Sequence, residues 1–148
     1  MFATGCSDSA QEQEAARQRE LTEAFAPTFN EASSHHRTTM AEIQGSGRTA
    51  LEAGDEDAVL DVYRSLRDAS GAAADEFETL EAPANVSAQH QSLIENLRRQ
   101  QQSLDDIVTA AEAQQDAALT EELQGLASLL ADFATIHTAI DTKLAQGP

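Results

Sequence analysis

Apolar side chains recur at alternating steps of three and four through most of this chain, and that spacing admits few folds. From about 86 to 113 the series is Val86, His90, Leu93, Leu97, Gln100, Leu104, Ile107 and Ala111. From about 117 to 145 it is Leu119, Leu123, Leu126, Leu130, Phe133, His137, Ile140 and Leu144. From about 56 to 81 it is Val59, Val62, Leu66, Ala69, Ala73, Glu76 or Phe77, and Leu80. A looser series, Phe29, Ala32, His36, Met40, Ile43, Gly47 and Ala50, covers about 28–52. Such steps gather one stripe on one face of a helix, which must then be covered by a neighbour. Four helices of similar length with short connections predict an all-α fold, an antiparallel up-down-up-down four-helix bundle.

The boundaries follow from residues that stop or start helices. Pro27 lacks an amide hydrogen and crowds the preceding turn, so a short helical extension over 11–26 is expected to end there, ahead of the helix over 28–52. Gly54 followed by Asp55-Glu56-Asp57 reads as a helix stop and then an acidic start, which the helix dipole favours. Pro83 closes the next helix, Asn85 or Ser87 is expected to cap the third, and Asp116 the fourth. Gly45-Ser46-Gly47 is a weak point where the first long helix could kink. Residues 1–10 read as a signal remnant and tether, and 11–148 as one helical domain with an N-terminal extension. A chain of 148 residues can bury one core without metals or disulfides, and its five Phe, one Tyr and no Trp suit a bundle built on Leu and Ala. No apolar run approaches the ~18 residues that a spanning helix needs.

Charge narrows the function. Asp and Glu number 26 against nine basic residues, of which only Lys143 is a lysine, for a formal net charge of −17. That field repels phosphate backbones and excludes nucleic acid as a partner. It also opposes adsorption to anionic lipid heads. The turns at 54–57 and 114–116 make one end of the expected bundle acidic, so a partner reading that tip would be cationic or a metal.

The polar members of the stripes are the candidate ligands. His36, His90 and His137 all fall on stripe positions. Counted from the acidic turns, His36 and His137 come within roughly 5 Å of one level at the helical rise per residue. Glu95 lies near that level, and Ser70-Gly71-Ala72-Ala73-Ala74 offers only small side chains opposite, which could leave room for a ligand. Imidazoles and carboxylates on facing helices are how bundles hold metals, so His36, His137 and Glu95, with His90 lower, form a candidate metal or haem site. The Glu-x-x-His and Cys-x-x-Cys-His patterns are absent, and a neighbouring carboxylate or amide would satisfy a core histidine equally well. The Gly-x-Ser-x-Gly nucleophile pattern, phosphate loops and His-Glu-x-x-His are also absent.

The N-terminus carries one further motif. Ala3-Thr4-Gly5-Cys6, ending in the only cysteine, resembles the lipobox of bacterial and archaeal lipoproteins, and the polar Ser7-Asp8-Ser9 resembles the tether that follows it. The position three before the cysteine, usually a large aliphatic residue, is Ala3 here. The stretch from Ala82-Pro83 through His90 and Leu93 is similar to a pattern in small all-helical lipoproteins. The resemblance implies a lipid on Cys6, membrane attachment through that lipid, and residence in the cell envelope on its periplasmic or extracellular face. An export signal needs a charged segment and roughly 7–15 apolar residues, so a longer precursor is expected ahead of Met1.

The expected function is therefore a non-enzymatic, envelope-anchored helical-bundle lipoprotein that works through protein contacts or as a structural element, without a cofactor. One alternative is a metal- or haem-binding bundle using His36, His137 and Glu95. Another is a cytosolic helical adaptor in which Cys6 is unmodified. A regular bundle also permits a homodimer.

Overall fold

The computed structural model describes residues 7–147. Four helices follow one another: α1 (Ser7–Ala53), α2 (Glu56–Glu78), α3 (Ser87–Glu112) and α4 (Asp116–Gln146). They form an all-α bundle in which consecutive helices pack against each other, with no strand among the described residues.

Pro27 does not end a helix. α1 is one helix of 47 residues with Pro27 in its interior, so the expected division into an extension over 11–26 and a helix over 28–52 is absent. The reason is tertiary. Phe25 and Phe29 flank the proline, are 2% and 0% exposed, and stack with ring centroids 5.3 Å apart. Burying a phenylalanine stabilises by about 1.5–3 kcal/mol, so the pair offsets the ~3 kcal/mol that an interior proline costs. Pro27 itself is exposed, as is Glu23, whose carbonyl loses its partner and can turn to water. The Gly45-Ser46-Gly47 stretch is helical too, and the expected tether is already helical from Ser7. Its first six positions, including Cys6, lie outside the described residues.

The other boundaries shift by a few residues. Gly54 takes the left-handed conformation at φ +67°, and Asp55 Oδ1 accepts from the Ala58 amide at 3.0 Å, as an N-cap should. α2 stops at Glu78, ahead of the expected 81, with Thr79 as its C-cap. None of the expected residues, Asn85, Ser87 or Asp116, caps α3 or α4: Val86 and Gln115 occupy those positions without a side-chain cap bond. Ser87 instead donates to the Ala84 carbonyl at 3.2 Å, and Asn85 Nδ2 donates to Gly147 O at 3.3 Å, tying the chain end to the α2–α3 turn.

The core has two parts. At the end holding the α2–α3 turn, Phe25, Phe29, Phe77, Leu93, Leu97 and Ile140 bring together all four helices. Towards the other end, Leu104, Ile107 and Leu126 pack with Tyr63, Leu66 and Leu119, drawn from α2, α3 and α4 alone. α1 there lies on α2, and of residues 37–53 only Ala50 is buried. A Cβ added at Gly47 would meet Val62 Cγ1 at 3.2 Å, which shows how closely α1 approaches α2. With α1 leaning that way, one flank of α4 goes uncovered. Leu123 and Leu130, expected in the core, are 37% and 43% exposed, and Leu129 takes the buried place.

Candidate functional site

The bundle offers two places to look for chemistry: the histidine layer at mid-height and the acidic end. In the first, the structure brings His36 and His137 together across the α1–α4 seam. Both rings lie against Phe133, at centroid distances of 5.5 and 6.1 Å. Burial lowers the His36 pKa, with Glu76 opposing and His35 and His137 adding to the shift. Burial thus favours the neutral form of an imidazole that lies edge-on to Phe133.

His137 has both ring nitrogens engaged. Nδ1 lies 3.0 Å from Asp141 Oδ2, one turn further along α4, and Nε2 lies 2.8 Å from Ser33 Oγ on α1. Hydroxyl, imidazole and carboxylate in a row have the connectivity of a nucleophilic triad. The setting does not suit that chemistry. Ser33 is 7% exposed and sits inside a continuous helix, where amides are committed to the helical ladder and cannot stabilise an oxyanion. The row is a polar clasp between α1 and α4.

Glu95 and His90 do not join this layer. Glu95 is exposed and accepts from Gln91 Nε2 at 3.0 Å on its own helix. His90 is buried in an aromatic pocket, edge-on to Phe25 at 5.3 Å and Phe77 at 6.5 Å. Its pKa is lowered by burial, against a backbone hydrogen bond to Phe77. Its Nε2 has no hydrogen-bond partner among the described residues. A row of rings, His137, Phe29, Phe25, His90, joins it to the layer above. Among the described residues no three His, Cys, Asp or Glu side chains are grouped to hold a metal ion.

The small residues of α2 do not make room for a ligand either. Ser70, Gly71, Ala73 and Ala74 are buried, and a Cβ at Gly71 would come within 2.6 Å of Gln101 Nε2. They let α3 approach. Two buried polar side chains on α3 are likewise structural: Asn96 Nδ2 donates to Leu129 O at 3.1 Å, and Gln100 Nε2 donates to Asn96 Oδ1 at 2.7 Å.

The acidic end carries a feature that the stripes did not announce. Where the α1–α2 and α3–α4 turns come side by side, an open groove of about 1100 Å³ runs between them. Its large apolar lining residues are Leu51, Val59, Leu60, Tyr63, Leu119 and Leu123. Leu51 is 68% exposed there. Asp55, Glu56, Asp57, Glu112 and Asp116 line it as well. Its one cation, Arg64, is bound to Asp61 at 2.6 Å and Glu112 at 2.5 Å. Among the described residues no basic side chain pairs with Glu56, Asp57 or Asp116. The sequence signal was Leu51 and Leu60, apolar residues off the stripes beside a run of acids.

Compared with known proteins, the chain matches no protein-family model, no curated protein and no solved structure.

Proposed function

We propose that this chain is a non-enzymatic helical-bundle lipoprotein of the cell envelope, held by a lipid on Cys6 and working through protein contacts at the far end of the bundle. The observation that carries this reading is the unbroken course of α1. Its 47 residues span roughly 70 Å at the helical rise, from Ser7, next to Cys6, to Ala53, next to the groove. The Ala84 amide donates to Gln18 Oε1 at 2.9 Å, and Lys143 Nζ donates to Asn85 O at 2.8 Å. The first part of α1, the α2–α3 turn and the C-terminal end of α4 are thereby joined at one end. Residues 9–17 are exposed throughout, so α1 leads into the bundle as a polar helical stalk. A lipid at Cys6 would hold such a rod with its groove turned away from the membrane. No helix among the described residues is long and apolar enough to cross a membrane, so the lipid supplies the attachment in this reading. Several acyl chains on one cysteine give a stable anchor, whereas one gives a marginal anchor.

Mass spectrometry of the protein purified from its native cells tests this directly. The expected result is an N-terminal Cys6 carrying diacylglycerol, with the residues before it removed. An unmodified Cys6 behind an intact Met1 refutes the anchor and leaves the cytosolic adaptor.

A further inference from the structure

We infer that the groove at the acidic end is a docking site for a cationic amphipathic helix of another protein. The inference deepens the contact role proposed above and shares its view of which end is the working end, while its chemistry rests on the groove alone.

Two properties define the occupant. Large apolar side chains from α1, α2 and α4 line the groove, with Leu51 and Leu123 presented to solvent. Isolated exposed leucines are ordinary, but several lining one concave surface mark a place where apolar surface is covered. The lining adds five carboxylates, and Arg64 is already committed to two of its neighbours. Glu56, Asp57 and Asp116 sit in the first turns of α2 and α4, where the helix dipole favours them, and no basic side chain among the described residues neutralises their charge. Apolar and anionic side chains lining one groove match a helix with leucine-like anchors on one face and lysine or arginine flanking them.

Other occupants fit less well. A second copy would bring another formal charge of −17 to an acidic end. A metal ion lacks a grouped ligand set among the described residues. Helical geometry favours a helix over an extended strand, because the groove borders helix ends and presents no sheet edge.

The chain contains a built-in reporter. Tyr63 is its only tyrosine, there is no tryptophan, and Tyr63 lines the groove. The probe is a synthetic peptide of Leu and Lys with leucines at helical spacing and no aromatic residue, titrated into the full chain while Tyr63 emission is followed. Saturable binding with a change in Tyr63 emission is expected. Leu51→Gln with Leu123→Gln should weaken it on the order of tenfold, and both residues are exposed enough for the fold to survive. Glu56→Gln, Asp57→Asn and Asp116→Asn together should weaken it and flatten its salt dependence. Neutralising Glu12 and Glu14 on the stalk should leave it unchanged. A Leu/Glu peptide of the same pattern should not bind.

Binding that ignores the leucine changes, or responds equally to stalk and tip charges, would show general attraction to an acidic protein and overturn the docking site. No binding would overturn it as well. Either result leaves the Cys6 anchor standing, and an unmodified Cys6 would in turn leave the groove standing.

Discussion

Replacing Pro27 tests the feature on which the long rod depends. In a helix interior, proline is about 3 kcal/mol worse than alanine, through the lost amide donor and the clash with the preceding turn. In α1 the orphaned carbonyl is that of Glu23, a residue exposed with Pro27, so that water can reach it. Part of the penalty is thereby relieved, and Pro27→Ala should stabilise the chain by about 1–3 kcal/mol. For a domain of this size each kcal/mol moves Tm by roughly 2–4 °C, giving a rise of about 2–12 °C. Urea and thermal unfolding followed by far-ultraviolet circular dichroism measure it, with coincident transitions checked first. Pro27→Gly sharpens the test, since glycine restores the amide at a cost of about 1 kcal/mol relative to alanine. The order in a helix interior is Ala above Gly above Pro. At a turn the rigid proline would be the most stable of the three, because it limits the unfolded chain. Equal or lower stability for Pro27→Ala would therefore refute the continuous α1 and restore a break between 11–26 and 28–52.

Further expectations concern the buried polar groups. Asn96→Ala removes the acceptor of the Gln100 amide and the donor to Leu129 O, leaving buried groups unpaired at about 1–3 kcal/mol; the double change Asn96→Leu with Gln100→Leu should cost less in denaturant titrations, and an equal or larger cost would show that the pair is not a buried network. Burial depresses the pKa of His90 in the folded state, so the unfolded chain binds more protons as pH falls through about 6.5, and stability present above that value is lost towards the folded pKa. His90→Phe keeps the ring contacts, and Phe77 O keeps the Leu80 amide, so its Tm relative to the parent should rise as pH is lowered; a difference that is flat with pH would refute the buried neutral histidine. Titration with zinc should show no binding tighter than about millimolar, because His36 and His137 supply two of the four ligands that a structural site uses; micromolar binding lost in His36→Ala would reinstate a metal site.

How much was readable in the sequence depended on the element. The α3 stripe was read nearly whole: Val86, His90, Leu93, Leu97, Gln100, Leu104 and Ile107 are all buried. α3 packs against both α2 and α4, so every position on its apolar face finds cover. The level shared by His36 and His137 was also readable, since helical rise and residue count set height along a bundle. α4 was read less well, and for the complementary reason. Its apolar face is real, but α1 covers it only where Phe29, Phe133 and the two histidines fill the seam, and Leu123 and Leu130 beyond them stay exposed.

Local pattern by itself determined the helical segments after Gly54, their order, and the acidic character of one end, because propensity and periodicity act over a few residues. Tertiary structure alone decided that α1 runs through Pro27, that it leans on α2 through Gly47, and that the uncovered leucines and the acids of two distant turns line one groove. Each of those outcomes balances a local cost against contacts with residues far along the chain. A local pattern carries the cost but not the partners.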